Sequence, residues 1–249
     1  MIGYANAIFT RQILAAHAIY CLNYPIPRKE FKSLNNKIFY DFPNSFVILR
    51  CMYETLIMAN YLLISDKFKK VRNVILKVAS LHAIKEQIIL LENMQSSKKE
   101  FQELIKERGK LFNDIKNHHE YTELDDKIKK YIDNYEGKNK KWYSDKLEHI
   151  AVLAGFHKTQ HLQYNKYFSN YIHSDPFSMK QVIAVRSPFD AKLIISFAKD
   201  CTINFLSMTL DLIKKIYNKN NILIEISEKS QKLINEWKYI NHQDISKNK

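Results

Sequence analysis

The sequence predicts an all-α protein, and three features of its composition support this fold class. The 249 residues include only four glycines and five prolines, whereas sandwiches and barrels need many turns. Hydrophobic residues make up 46% of the chain, enough to bury a substantial core. Apolar residues recur at helical spacing, and no segment has a convincing strand pattern. We expect a multi-helix bundle forming a single domain over residues 1–249, with a charged helical hairpin inserted at 98–141 and a polar tail at 242–249.

The first half of the chain predicts two apolar helices. The first spans Ile2 to Leu22 and carries an apolar face. The second begins at an N-cap residue, Asn44 or Ser45, and is apolar nearly all round, which is typical of a helix at the centre of a bundle. It also contains charged side chains near its middle, which makes a membrane-spanning role costly. The apolar residues predicted to face the core on the first helix include Ile8, Ile13, Leu14, Ala18 and Cys21.

The remaining helices are marked by capping signals. Ser65 precedes a long helix that ends near Met94, and Gly155 follows a short helix in the C′ position. Ser187 and Pro188 begin another long helix, because proline is tolerated in the first helical turn. Its predicted core face consists of Leu193, Ile194, Phe197, Cys201, Phe205, Met208, Leu212 and Ile216.

The net charge of +13 indicates either an anionic partner or simply a well-solvated surface. If the basic runs share a face, they would form a track for the phosphates of RNA or DNA, and neighbouring aromatic rings could stack on bases. The candidate nucleic-acid-binding residues are Lys69, Lys70, Lys140, Lys141 and Trp142.

The three cysteines, Cys21, Cys51 and Cys201, are far apart and have apolar neighbours. We interpret them as buried free thiols of a cytoplasmic protein, because disulfides are rare in reducing compartments. No glycine-rich phosphate loop, nucleophile elbow or dinucleotide fingerprint is present, which argues against nucleotide-dependent kinases, α/β hydrolases and Rossmann dehydrogenases. We expect no cofactor.

Polar side chains that could take part in catalysis are most concentrated between Tyr164 and Pro176. Ser169 and His173 are four residues apart and share one helix face. The negative end of the helix dipole favours a protonated His173. Such a histidine could act as the general acid or base in the cleavage of a phosphodiester. The alternative is a hydrogen-bonded Ser–His pair that closes the helix end.

A second polar pair lies on the second helix, where Arg50 and Glu54 are one turn apart. In a composite catalytic site, Arg50 would stabilise phosphate charge and His173 would act as acid or base. Glu54, Tyr167 and Ser169 would orient this pair. The alternative is that Arg50 and Glu54 form a buried salt bridge that holds the bundle together.

These motifs resemble the bacterial domain-of-unknown-function family 5677. The resemblance covers about Phe46 to Met179 and implies an all-helical fold without a firmly assigned activity. It also implies that the Arg50–Glu54 cluster pairs with the Ser169–His173 cluster. The hairpin at 98–141 departs from the family pattern. The motif residues are Arg50, Glu54 and Tyr61, then Trp142, Leu147, Ile150, Ala151 and Gly155, and finally Tyr164, Tyr167, Ser169, Tyr171, Ile172 and His173.

A more distant resemblance is to the HEPN superfamily, whose R-x4-6-H motif has one formal match, Arg11 to His17. It implies a metal-independent ribonuclease or nucleic-acid-binding effector of a phage-defence or toxin system. Its partners would be RNA or another nucleic acid, or a protein of that system, without membrane contact, and a homodimer would fit a composite site. The alternative is a non-enzymatic helical interaction or regulatory subunit, in which the same polar residues are a structural lock.

Two histidine clusters are weaker candidates. His157 and His161 have the spacing of zinc ligands on one helix face, but exposed polar histidines are commoner, and we expect no metal. His118, His119 and Glu120 lie at a predicted helix end and are expected to be solvated.

Overall fold

A computed structural model describes residues 1–23, 41–94, 98–135, 141–143, 145–173, 176, 179–180 and 188–239. Over these residues the protein is helical and contains no strand, which confirms the all-α prediction. The helices are α1 (Ile2–Leu22), α2 (Phe42–Leu63), α3 (Arg72–Met94), α4 (Lys98–Lys116), α5 (Asp126–Asp133), α6 (Leu147–Leu153), α7 (Lys158–Ile172), α8 (Pro188–Lys219) and α9 (Glu228–Tyr239). Short 3-10 helices lie at Asp66–Phe68 and His119–Glu123.

The chain divides into two compact units. One combines Met1–Tyr61 with Leu147–Lys249, and the other is Leu62–Lys146. The expected 98–141 hairpin corresponds to α4, the second 3-10 helix and α5 within the Leu62–Lys146 unit, as far as these residues are described. The expectation of one domain over residues 1–249 stays a prediction, and the 242–249 tail lies outside the described residues.

In the first unit, α8 packs against α1 and α9, and α6 packs against α7. The core between α2, α7 and α8 is aromatic. The ring centroids of Phe46 and Phe168 are 6.1 Å apart, and those of Tyr53 and Phe205 are 5.7 Å apart. All four of these side chains are fully buried, as the apolar character of α2 predicts for a central helix.

In the second unit, α3 packs against α4. α5 contributes the buried side chains Ile128, Tyr131 and Ile132. The Lys116 ammonium group donates to the Tyr121 hydroxyl at 2.7 Å and also pairs with a carboxylate on α5, so it ties α4 to the segment that follows it.

The start of α2 differs from the prediction. The helix begins at Phe42, and the Asp41 carboxylate accepts the Asn44 N–H at 3.4 Å and the Asn44 side-chain amide at 2.8 Å. Asp41 therefore satisfies the first-turn donors, so the predicted N-cap at Asn44 or Ser45 is wrong by three or four residues. The Ser65 side chain accepts the Lys67 N–H at 3.3 Å and caps the Asp66–Phe68 3-10 helix. The long helix α3 begins only at Arg72, so the prediction that Ser65 caps that helix is wrong.

The core face of α1 also differs from the prediction. Its buried residues are Ala5, Gln12 and Ile19, whereas Ile13 and Leu14 are exposed. Gln12 can be buried because its amide donates to the Met52 carbonyl at 2.9 Å. Because the residue at the centre of the buried face, Gln12, is polar, the spacing of apolar residues does not identify this face.

On α8 the predicted face is confirmed only from Cys201 onwards. Cys201, Phe205 and Leu212 are buried, whereas Leu193 is 58% exposed and Phe197 is 40% exposed. The N-terminal half of α8 instead buries the small or branched residues Ala191, Ile195 and Ala198.

The cysteine prediction is wrong in two of its three positions. All three cysteines are free thiols, but Cys21 and Cys51 are exposed and only Cys201 is buried. Burial raises the pKa of the Cys201 thiol to about 12, so this side chain stays protonated at neutral pH.

Two helices, Phe42–Leu63 and Phe189–Lys219, are long and apolar enough to cross a membrane when only length and composition are considered. Half of the apolar window of each is buried within the protein, and core helices of water-soluble proteins pass the same test. The cytoplasmic location stays a prediction.

Gly155 ends α6 with a left-handed backbone, at φ 92°. The Gly155 N–H donates to the Val152 carbonyl and the Phe156 N–H donates to the Ala151 carbonyl, both at 3.0 Å. This pairing is a Schellman motif, which satisfies the last carbonyls of a helix. It confirms the predicted C′ glycine and turns the chain into the start of α7.

We expect Gly155→Ala to destabilise the protein by about 1 kcal/mol, because a Cβ is strained at positive φ. Gly109→Ala is the matched control: Gly109 lies inside α4, and a Cβ there would meet nothing within 4 Å. That change should stabilise the protein by about 0.5–1 kcal/mol. Urea unfolding measures both, and equal effects of the two substitutions would contradict the assignment.

Candidate functional site

Arg50 lies at the centre of a polar cluster between α2 and α7. Its Nε donates to the Glu54 Oε1 at 2.7 Å, and Nη2 lies 2.6 Å from the same oxygen. Nη1 donates to the Asn165 carbonyl at 2.8 Å and to the Ser169 Oγ at 3.0 Å. One guanidinium group therefore joins the middle of α2 to two successive turns of α7.

Helical periodicity explains this arrangement on both sides. Arg50 and Glu54 are one turn apart on α2, and Asn165 and Ser169 are one turn apart on α7. The Asn165 carbonyl can accept the arginine because a carbonyl oxygen has two lone pairs. The Arg50 side chain is 11% exposed and that of Glu54 is 44% exposed, so solvent reaches the cluster from the glutamate side.

Sequence reasoning missed the carbonyl of Asn165. Every residue carries a backbone carbonyl, so no pattern of side chains could have identified it. The side-chain Oδ1 of Asn165 is buried and has no hydrogen-bond partner within the described chain.

A second polar contact, also missed from the sequence, joins the same helices one turn further along. The Tyr53 hydroxyl lies 2.5 Å from Nδ1 of His161, and both residues are at most 3% exposed. Burial lowers the pKa of His161, with Glu148 opposing and Arg50 adding to this shift. Burial likewise raises the pKa of Tyr53 above its usual range. Both groups are therefore neutral near pH 7, which suits a structural hydrogen bond.

His173, the predicted acid or base, is the C-cap residue of α7. Its backbone N–H donates to the Ser169 carbonyl at 3.1 Å, and its side chain is exposed. Within the described residues, its imidazole makes no hydrogen bond or ion pair. Ser169 bonds to Arg50 rather than closing the helix end with His173. The neighbouring Asp175 lies outside the described residues.

Tyr167, predicted to orient the catalytic pair, packs into the aromatic core. Its ring centroid is 5.1 Å from that of Phe46 and 5.7 Å from that of Phe197, and its hydroxyl is 3.3 Å from the Tyr171 hydroxyl. Burial raises the pKa of Tyr171 above its usual range. These contacts make Tyr167 a part of the packing around α2.

His157 and His161, the alternative zinc ligands, do not share an exposed helix face. His157 is the N-cap of α7, where its Nδ1 accepts the Thr159 N–H at 3.3 Å and Gln160 completes a capping box. His161 points into the core towards Tyr53. The expectation that both histidines are exposed is also wrong, because His161 is 3% exposed.

The candidate nucleic-acid-binding residues have different surroundings within the Leu62–Lys146 unit. Lys69, Lys70 and Lys141 are exposed, whereas Lys140 lies outside the described residues. Trp142 is only 5% exposed, and its indole packs edge-on against Tyr143. The burial of its ring counts against base stacking by Trp142.

The charges of residues 98–141 are nearly balanced. This segment contains 12 Lys and Arg residues against 10 Asp and Glu residues. Its net charge is therefore a small part of the total of +13. The hairpin is strongly charged without being a strongly basic surface.

The lowered pKa of His161 predicts a dependence of stability on pH. In the unfolded chain His161 takes up a proton near pH 6.5, whereas in the folded chain it stays neutral to a lower pH. The free energy of unfolding therefore decreases as pH falls below about 6.5. We expect the free energy of unfolding to decrease less between about pH 7.5 and pH 5 in His161→Gln than in the wild type. Urea unfolding at both pH values measures this difference.

The matched control is His149→Gln, because His149 is exposed and should leave the wild-type pH dependence unchanged. His82 also has a pKa lowered by burial and accounts for part of the remaining dependence. An identical pH dependence in wild type and His161→Gln would contradict the assignment.

Comparison with known proteins identifies the family of this chain. No curated protein and no solved structure matches it. The sequence model of a family of unknown function, DUF5677, matches residues 4–190, which is about three quarters of the chain and includes every residue of the Arg50 cluster. The Arg50 cluster and the helices that carry it thus lie within the residues that the family model matches, and the chain belongs to the DUF5677 family.

Proposed function

We propose that this protein is a non-enzymatic helical interaction subunit in which Arg50, Glu54 and Ser169 form a structural lock. The observation that carries the proposal is that every nitrogen of the Arg50 guanidinium group has a partner within the chain. Nε, Nη1 and Nη2 of Arg50 all have partners within the chain, and the side chain is 11% exposed.

A catalytic arginine needs free donors aimed at the position where negative charge develops. Four of the five N–H groups of a guanidinium are accounted for by the contacts of Arg50. A phosphate would have to displace the Glu54 carboxylate, which is itself anionic.

A protein-binding role is supported by the exposed apolar stripe at the start of α8. Phe189, Leu193 and Phe197 are spaced one turn apart and are 69%, 58% and 40% exposed. Contiguous apolar surface of this kind is typical of protein interaction sites. A second copy of the chain or a protein of a defence system would bind through this stripe.

The second candidate is a HEPN-like, metal-independent ribonuclease or nucleic-acid-binding effector of a phage-defence or toxin system. The exposure of His173 favours it, since its imidazole is accessible and lies one turn beyond the arginine-bound Ser169. In this candidate, His173 acts as acid or base, and Arg50 and Ser169 position α7. Lys69, Lys70 and Lys141 would contact phosphates.

The two candidates are separated by pairing an RNA-cleavage assay with thermal unfolding. If the structural lock is correct, the wild-type protein leaves single-stranded RNA intact. Arg50→Met then lowers the free energy of unfolding by about 2 kcal/mol, which corresponds to a decrease in Tm of about 5 °C. His173→Ala leaves Tm unchanged because its side chain is exposed.

His149→Ala is the control for replacing an exposed histidine. RNA cleavage by the wild type and by His149→Ala, together with loss of cleavage in a fully folded His173→Ala, would overturn the lock proposal in favour of the ribonuclease. A normal Tm for Arg50→Met would contradict the lock directly.

A further inference from the structure

We propose that His118, His119 and Glu120 form a zinc-binding site in the Leu62–Lys146 unit. One side-chain donor atom from each residue lies within 4.8 Å of the other two. This site is independent of the function proposed above, because it uses none of the residues around Arg50.

The tripeptide is held in place at two points. His118 is the N-cap of the His119–Glu123 3-10 helix, and its Nδ1 accepts the Glu120 N–H at 3.2 Å. Zinc binding by Nδ1 would replace this hydrogen bond, because an imidazole nitrogen has one acceptor lone pair. The Glu120 Oε2 accepts the Val74 N–H at 3.3 Å in the first turn of α3. The side chains of His118 and Glu120 are each only 14% exposed, so the expectation that this tripeptide is solvated is wrong for two of its three residues.

The third side chain supplies the adjustable ligand. His119 is 83% exposed, and its Nε2 lies 3.8 Å from the Glu120 Oε1. His118 Nδ1 lies 3.9 Å from the Glu120 Oε2. Ligand atoms on a tetrahedral zinc ion, with bonds of about 2.0–2.2 Å, are roughly 3.4 Å apart. The separations of 3.8 and 3.9 Å go to different oxygens of Glu120, so a carboxylate that binds zinc with both oxygens needs each of them to shrink by about half an ångström.

The imidazoles must also leave their present stacked arrangement. The rings of His118 and His119 are 4.6 Å apart and inclined by 22°, whereas two imidazoles on one metal direct their in-plane lone pairs at the same point. The His119 ring is 83% exposed, so it has room to rotate away from the His118 ring and meet this requirement.

The ligand atoms of His118, His119 and Glu120 determine which cation the site would bind. Two imidazole nitrogens and one carboxylate oxygen suit zinc and similar transition metals, whereas magnesium and calcium prefer oxygen ligands alone. Three protein ligands leave a fourth position for water. A zinc ion here would fix the segment between α4 and α5 to the first turn of α3, through the Glu120 carboxylate.

The test is calorimetric titration of the full-length protein with zinc chloride after treatment with a chelator. We expect one site with a dissociation constant in the micromolar range and at least a tenfold loss of affinity in His119→Ala. The exposure of His119 means that this substitution should leave the metal-free Tm unchanged.

His149→Ala, which removes an exposed histidine from the other unit, is the matched control and should bind zinc like the wild type. The proposal is overturned if the wild type binds no zinc in the micromolar range. It is equally overturned if His119→Ala binds zinc as tightly as the wild type, because the metal would then lie elsewhere.

Discussion

The burial of the Arg50 guanidinium is the constraint on which the α2–α7 pairing depends. An arginine cannot lose its proton at accessible pH, so it must be paired when it is removed from water. The glutamate one turn later supplies the charge, and the Asn165 carbonyl and Ser169 hydroxyl supply the remaining acceptors. Because these acceptors lie at fixed positions on α7, only one register of the two helices satisfies the arginine.

The aromatic core fits around this polar contact. The Tyr53–His161 hydrogen bond lies one turn from Arg50 on α2, and Phe46 stacks on Phe168 one turn in the other direction. Aromatic rings alone would permit neighbouring registers at little cost, since they pack in several geometries. Directional polar contacts add the specificity, at the expense of desolvating the groups that make them.

Several features were accessible from the sequence because they depend on local periodicity. The fold class, the span of α1 and the C′ glycine at Gly155 follow from spacing and capping chemistry. The Arg50–Glu54 pair follows from its i,i+4 spacing, and the family resemblance implied that this pair would meet the Ser169 helix.

Features that depend on a partner far away in the sequence could not be predicted from the sequence. Gln12 is buried because of a carbonyl 40 residues away, and the buried face of α1 was therefore misidentified. The acceptor role of the Asn165 carbonyl has no side-chain signature at all. His161 is buried because a tyrosine on another helix satisfies it, whereas its spacing from His157 suggested a metal ligand.

The contacts of Arg50 explain the packing of α2 on α7 and also support the functional proposal. The most direct test of these contacts is the coupling free energy between Arg50 and Ser169. A double-mutant cycle with Arg50→Met, Ser169→Ala and the double variant, followed by urea unfolding, measures this quantity. A structural lock predicts a coupling of about 1.5 kcal/mol, as expected for a hydrogen bond from a charged donor at 3.0 Å. Additivity within about 0.3 kcal/mol would show that the contact does not hold the two helices together and would contradict the account.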